Sequence, residues 1–174
     1  MPPTTSFVFF HPPAWQRFLL PTAAIVAWLV LAASLIMQWS LELVPCPMCI
    51  VQRYCTIGLA IFTSIAILNK RWPLYAGLAF AGLGAFTAAR QSFLQWNPPA
   101  FMSCGRDFYG MVEAFPLSKL IPSVFAGSGD CASSADNLFG MTLANASFVF
   151  FVAALTAIAI ALWKSSAKKT IVAN

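Results

Sequence analysis

Charge is scarce in this chain, and histidine is nearly absent. Charged residues make up 9% of the 174 positions, with five acids and a single His, while 60% of residues are apolar. A soluble domain carries about 25% charged residues, and a globule of this size cannot hide so much apolar surface from water. The low charge therefore excludes an ordinary soluble domain and makes the bilayer the natural solvent. No nucleotide-binding loop, flavin or haem motif, Ser/His/Asp set or internal repeat is present. The lone His11 leaves little for a histidine-based metal centre.

What is present is four long apolar runs, about 21–40, 50–68, 72–91 and 143–163. Each approaches the ~20 residues that a helix needs to cross the hydrocarbon core. The runs are continuous and do not alternate, which favours helices over barrel strands. The first is too long for the apolar core of a signal peptide, and Leu35-Ile36-Met37 continues past the small residues Ala32-Ala33-Ser34. It reads as a retained span. The expected fold is an all-α four-helix membrane bundle forming one domain over residues 1–174, with outer segments 41–49 and 92–142.

The net charge of +5 invites a nucleic-acid reading, but the positions of the charges decide otherwise. Four spans put both termini and the turn at Asn69-Lys70-Arg71 on one side. Arg17, Lys70, Arg71, Lys164, Lys168 and Lys169 all lie there, without an acid. The positive-inside rule makes that side cytoplasmic. The basic tail serves as a topology anchor or a contact for lipid headgroups. Glu42, Asp107, Glu113, Asp130 and Asp136 fall on the other side, as do Cys46, Cys49, Cys104 and Cys131. In a bacterium that side is the periplasm, where disulfides persist. Cys55 lies inside the second span as a small buried side chain.

Within the long outer segment, Phe108, Met111, Val112 and Phe115 have helical spacing, as do Leu117, Leu120, Ile121 and Val124. Pro116 and Pro122 prevent one long helix. Short amphipathic helices in the membrane interface fit this pattern, and so does plain packing onto the bundle ends. The third span is rich in small residues (Gly77, Ala81, Gly82, Gly84, Ala85, Ala88), which permit close helix approach.

The chemistry gathers at Pro45-Cys46-Pro47-Met48-Cys49-Ile50-Val51-Gln52-Arg53. A Cys-x-x-Cys can close a small disulfide or hold a metal. For redox work the thiolate is the reactive form. Cys49 stands where the second helix begins, and the positive end of the helix dipole favours an anion there. Arg53 follows at i+4 on the same face. Pro45 and Pro47 stiffen the approach and keep Cys46 out of the helix. An arginine near a span end either snorkels to the headgroups or belongs to a functional site.

Cys104 and Cys131 make a natural second pair. As a staple, such a closed loop contributes roughly 3 to 4 kcal/mol. As a relay, it exchanges with the nearby Cys-x-x-Cys through a mixed disulfide. The four cysteines allow three connectivities. A relay needs an acceptor in the membrane, and a lipid-soluble quinone requires only an apolar pocket with a few polar groups. Arg53 offers a cation as charge builds on the ring, and Arg90 and Gln91 at the outer end of the third span offer further donors. A thiolate metal site, with Met48 and Met102 near the four cysteines, is the reading from a different class. A third reading is a structural subunit whose cysteines only staple the loop.

Cys46-Pro47-Met48-Cys49-Ile50-Val51-Gln52-Arg53 resembles the C-x-x-C-I-x-x-R signature of the disulfide bond formation protein B (DsbB) family. Residues 116–125, running into Ser128-Gly129-Asp130-Cys131, resemble that family's outer loop, and Arg90-Gln91 stands where members carry Arg followed by His or Gln. The resemblance spans about Ala14 to Trp163. It implies a bundle in the bacterial inner membrane that reoxidises a periplasmic DsbA-like thioredoxin-fold partner and passes the electrons to ubiquinone or menaquinone. By position, it implies that Cys104 is the sulfur attacked by the partner, that Cys131 exchanges with Cys46, and that Cys49 and Arg53 face the quinone. Vitamin K epoxide reductase-like quinone reductases use similar parts but place the Cys-x-x-Cys late in the bundle. Two positions depart from the pattern, in the manner of a divergent paralogue. Asp136 replaces the tryptophan of a W-x-F-L-G motif, and Gln91 cannot protonate as a histidine does.

Overall fold

The structure is a computed structural model. It describes residues 14–42, 44–68, 71–98, 104, 110, 119–120, 125, 127, 129–132, 137–138 and 141–172, with side chains between Phe18 and Trp163. Four helices dominate: α1 (Ala14–Ser40), α2 (Pro47–Ala66), α3 (Trp72–Trp96) and α4 (Leu143–Val172). A two-residue hairpin, β1 (Asn137–Leu138) with β2 (Met141–Thr142), pairs antiparallel just before α4. All four helices are long and apolar enough to cross a membrane, so the chain is a multi-pass four-helix membrane bundle.

The helices overrun the expected spans for local reasons. α1 accommodates Pro21 in its interior and begins at Ala14. α2 starts at Pro47, three residues before the apolar run, because a proline at the first helical position gives up an N–H that has no intrahelical partner there. α3 continues to Trp96, since nothing between Ser92 and Trp96 breaks a helix; Asn97-Pro98 does. Glu42, just past α1, takes a left-handed conformation with φ 50°, as helix-terminating residues commonly do. The expected short helices of the outer segment fall mainly on residues outside those described.

α2 is the most enclosed helix. It packs between α1 and α3, while α4 packs against α3 and meets α1 only along a thin seam. The main core joins Leu20 and Ala27 of α1, Cys55, Leu59 and Ala60 of α2, Leu74, Ala81 and Ala88 of α3, and Phe151 and Ile158 of α4. Cys55 thus serves as packing. Small residues set the α3 contacts, as the sequence suggests: a Cβ added at Gly84 meets the Phe151 ring at less than any normal contact. Large apolar side chains such as Leu29, Ile36, Leu83, Phe86 and Val149 stay exposed on the outside of the helices. They are stable there only against lipid.

Two further clusters cap the bundle at the start of α2. One contains Cys46, Met48, Cys104 and Cys131, with Cys49 and Leu94 against it. The other joins Ile50 to Phe125, whose ring stacks on Tyr54 with centroids 4.7 Å apart. The outer segment is thereby held down on the end of α2.

Candidate thiol–disulfide site

The start of α2 is built by the cysteine motif itself. Cys46 is the N-cap, in extended conformation (φ −81°, ψ 159°). Its sulfur accepts the backbone N–H of Cys49 at 3.2 Å, a capping role that Ser or Asp usually fills. The N-terminal turn thus bends the two side chains together, and their sulfurs lie 2.6 Å apart as free thiols. The hydrogen bond with Cys49, followed by burial, holds the Cys46 thiol far above its ordinary value. Cys49 is the less enclosed of the two.

Cys104 and Cys131 form a disulfide across 27 residues, with Cα atoms 5.2 Å apart. Both are fully buried. The Cys131 side is tied to α2 through backbone. Gly129 N–H donates to Pro45 O at 3.1 Å. A Cβ on Gly127 would stand 2.6 Å from the carbonyl oxygen of Pro45, and one on Gly129 would collide with that of Val44. These glycines allow the segment before Cys131 to lie directly on the segment before Cys46. The two cysteine pairs consequently share one buried cluster.

Polar side chains from three helices close on this cluster. Arg53 of α2 is 7% exposed, and its Nη2 donates to Gln38 Oε1 of α1 at 2.7 Å. Gln91 of α3 is 6% exposed, with its Nε2 3.5 Å from Cys46 Sγ and 3.4 Å from Cys49 Sγ. Gln52 of α2 donates to Gln91 Oε1 at 2.8 Å. Arg90, by contrast, projects from the exposed face of α3. Of the residues singled out from sequence, Cys46, Cys49, Cys104, Cys131 and Gln91 stand together, Arg53 lies one turn further along α2, and Arg90 stands apart. Asp136 is outside the described residues.

Gln38 and Gln52 were not singled out from sequence, though both carried a signal. Each is a polar residue in or at the end of an apolar span, and such residues mark functional positions by default. Gln52 also lies at i+3 from Cys49, on the same helical face. Among the described residues, no group of three or more His, Cys, Asp or Glu side chains is arranged to hold a metal ion.

Comparison with known proteins agrees with this geometry. Residues 16–161 match the family model of disulfide bond formation protein DsbB. Proteins named disulfide bond formation protein B are close relatives. That of Paracidovorax citrulli is 51% identical over 76% of this chain and 78% of its own. That of Verminephrobacter eiseniae is 54% identical over 70% and 72%, and that of Polaromonas naphthalenivorans 51% over 82% and 89%. With a match over most of its length and with its cysteines paired and buried at one end of a membrane bundle, this chain belongs to the DsbB family of membrane disulfide bond formation proteins.

Proposed function

We propose that the protein is a protein-dithiol:quinone oxidoreductase of the bacterial inner membrane. It reoxidises a periplasmic DsbA-like thioredoxin-fold dithiol and delivers the electrons to the membrane quinone pool, ubiquinone or menaquinone. Both termini are cytoplasmic, and the cysteine-bearing end of the bundle faces the periplasm. The observation that carries this reading is the single buried cluster that holds both cysteine pairs.

The exchange balances as follows. A thiolate of the partner attacks Cys104 Sγ, the Cys104–Cys131 bond breaks, and the electron pair leaves on Cys131. Cys131 then attacks Cys46 Sγ of an oxidised Cys46–Cys49 pair, and the pair's electrons leave on Cys49. The partner's second thiolate releases Cys104, which attacks Cys131 in the mixed disulfide and restores Cys104–Cys131. The partner is now a disulfide, and Cys46 and Cys49 are reduced. The packing of both pairs in one cluster favours the exchange between them.

The residues beside Cys49 fit a quinone. Arg53 offers a cation and Gln91 an amide N–H, both largely out of water. Arg90, which stands apart on the exposed face of α3, is given no part in holding it. A quinone bound beside Cys49 takes up two electrons and two protons. Arg53 offsets the negative charge that builds next to Cys49, and Cys49 is the less enclosed residue of the pair.

The test uses detergent-purified protein with quinone and a reduced thioredoxin-fold dithiol, following quinone absorbance. Oxidised quinone disappears catalytically with the native protein and not with Cys49→Ser. Unchanged turnover in that variant overturns the role assigned to Cys49.

A further inference from the structure

The Gln91 amide has two ends of opposite character. Its N–H group stabilises an anionic sulfur, whereas its carbonyl oxygen repels one. Its Nε2 is 3.4 Å from Cys49 Sγ, and its Oε1 is 3.9 Å from that sulfur. Nothing about Gln91 alone fixes this choice, because an amide can turn over at little cost. Gln52 fixes it. Its Nε2 donates to Gln91 Oε1 at 2.8 Å, and both side chains are buried, so reversing the Gln91 amide sets one N–H group against another.

We propose that Gln52 is a positioning residue for the thiol pair, holding the Gln91 amide with its N–H group toward Cys46 and Cys49. This rests on the exchange sequence given above, in which breaking the Cys46–Cys49 bond leaves an electron pair on Cys49 Sγ. A donor already aimed at that sulfur lowers the barrier without reorganisation at the moment of exchange. Among the described residues, the groups acting on Cys49 are Cys46 at the N-cap, Gln91 from α3 and Arg53 from the next turn of α2. Arg53 acts by charge. Gln52 and Gln91 act as neutral dipoles, so their contribution does not switch off with pH.

The experiment titrates Cys49 in reduced, quinone-free protein, using the pH dependence of its alkylation by iodoacetamide, read by mass spectrometry. Gln52→Met keeps the volume and removes the donor. The expected result is an upward shift of the Cys49 midpoint by about one pH unit, the size expected for losing one hydrogen bond to a charged group. Gln91→Met shifts it similarly, and the double variant shifts it no further, because Gln52 acts through Gln91. Gln52→Glu retains a polar side chain at the site. Its carboxylate draws the Gln91 N–H group away from the sulfurs and raises the midpoint more in the Gln91 protein than in the Gln91→Met background. Additive shifts, or no shift with Gln52→Met, overturn the proposal. The titration needs neither quinone nor partner. A protein that fails to reduce quinone therefore sinks the functional reading while this measurement still decides the role of Gln52.

Discussion

Gly129 donates its backbone N–H to the carbonyl of Pro45 across 3.1 Å, two residues before Cys131 and one before Cys46. This bond aligns the segments that carry one cysteine from each pair. It also explains why the residue is glycine, since any Cβ there runs into the Val44 carbonyl. Neither partner is a flexible side chain that can swing aside. Gly129→Ala is expected to push the two segments apart while leaving Cys104–Cys131 able to form. Rapid mixing with a reduced thioredoxin-fold dithiol should then show attack on Cys104 near the native rate. Transfer of oxidation from Cys46–Cys49 should slow about tenfold or more, as misplacement of reacting groups by an ångström commonly does.

Gln38 and Arg53 set a second expectation. The guanidinium is anchored across the α1–α2 seam at 2.7 Å, with Arg53 buried and Gln38 half-buried. Arg53→Met removes the cation, and quinone turnover should fall about a hundredfold, the scale of losing one well-aimed electrostatic group. Arg53→Lys should recover only part of this, since an ammonium is a point charge that cannot reproduce the planar fork. Gln38→Leu should cost less than Arg53→Met, roughly tenfold, because the charge remains but loses its tether. Steady-state quinone reduction compares the three.

The unequal surroundings of Cys46 and Cys49 predict which sulfur reacts in the reduced protein. The hydrogen bond that the Cys46 thiol donates to Cys49, together with burial, holds the proton on Cys46. The folded-state value of Cys46 is raised, so its thiol form persists from acid pH through the ordinary thiol range and ionises only well above it. Limited iodoacetamide treatment between about pH 6 and 9 should therefore label Cys49 and spare Cys46. Peptide mapping reads the outcome. Equal labelling at the upper end of that range contradicts the assignment of Cys46 as the protonated member.

Much of this arrangement was legible in the sequence, because the bilayer enforces simple rules. Continuous apolar runs had to be helices, and Cys46-Pro47-Met48-Cys49 at the edge of one of them had to sit at a helix start. The signature around Arg53 and the Arg90-Gln91 step pointed to the family. Helix ends were harder to read, since apolarity ends where lipid ends while a helix ends where its hydrogen bonds do. Ser92–Trp96 stays helical beyond the apolar run for that reason. The division of labour between neighbours was also hidden. Arg90 and Gln91 are adjacent, yet a helix turns about 100° per residue, and only Gln91 faces the sulfurs. Gln52 and Gln38 escaped notice because their role depends on partners 39 and 15 residues away.

The α3–α4 seam supplies a test of what holds Gln91 in place. α3 reaches the cysteine pair only through the packing that fixes it against α2 on one side and α4 on the other. On the α4 side Gly84 lies directly against the Phe151 ring, and Phe151 is 1% exposed. Gly84→Ala must therefore displace the ring or separate the helices, at about 1 to 3 kcal/mol for an overpacked core. Gly82, half a turn away, is a matched control. A Cβ added there meets Leu155 at 3.9 Å, an ordinary contact. Gly82→Ala also gains helix propensity, worth up to about 1 kcal/mol. Thermal unfolding in detergent should separate the two, with the midpoint falling by several degrees for Gly84→Ala and holding or rising for Gly82→Ala. A midpoint for Gly84→Ala equal to that of its control means that the seam gives way at no cost, and that the placement of Gln91 comes from α2 alone.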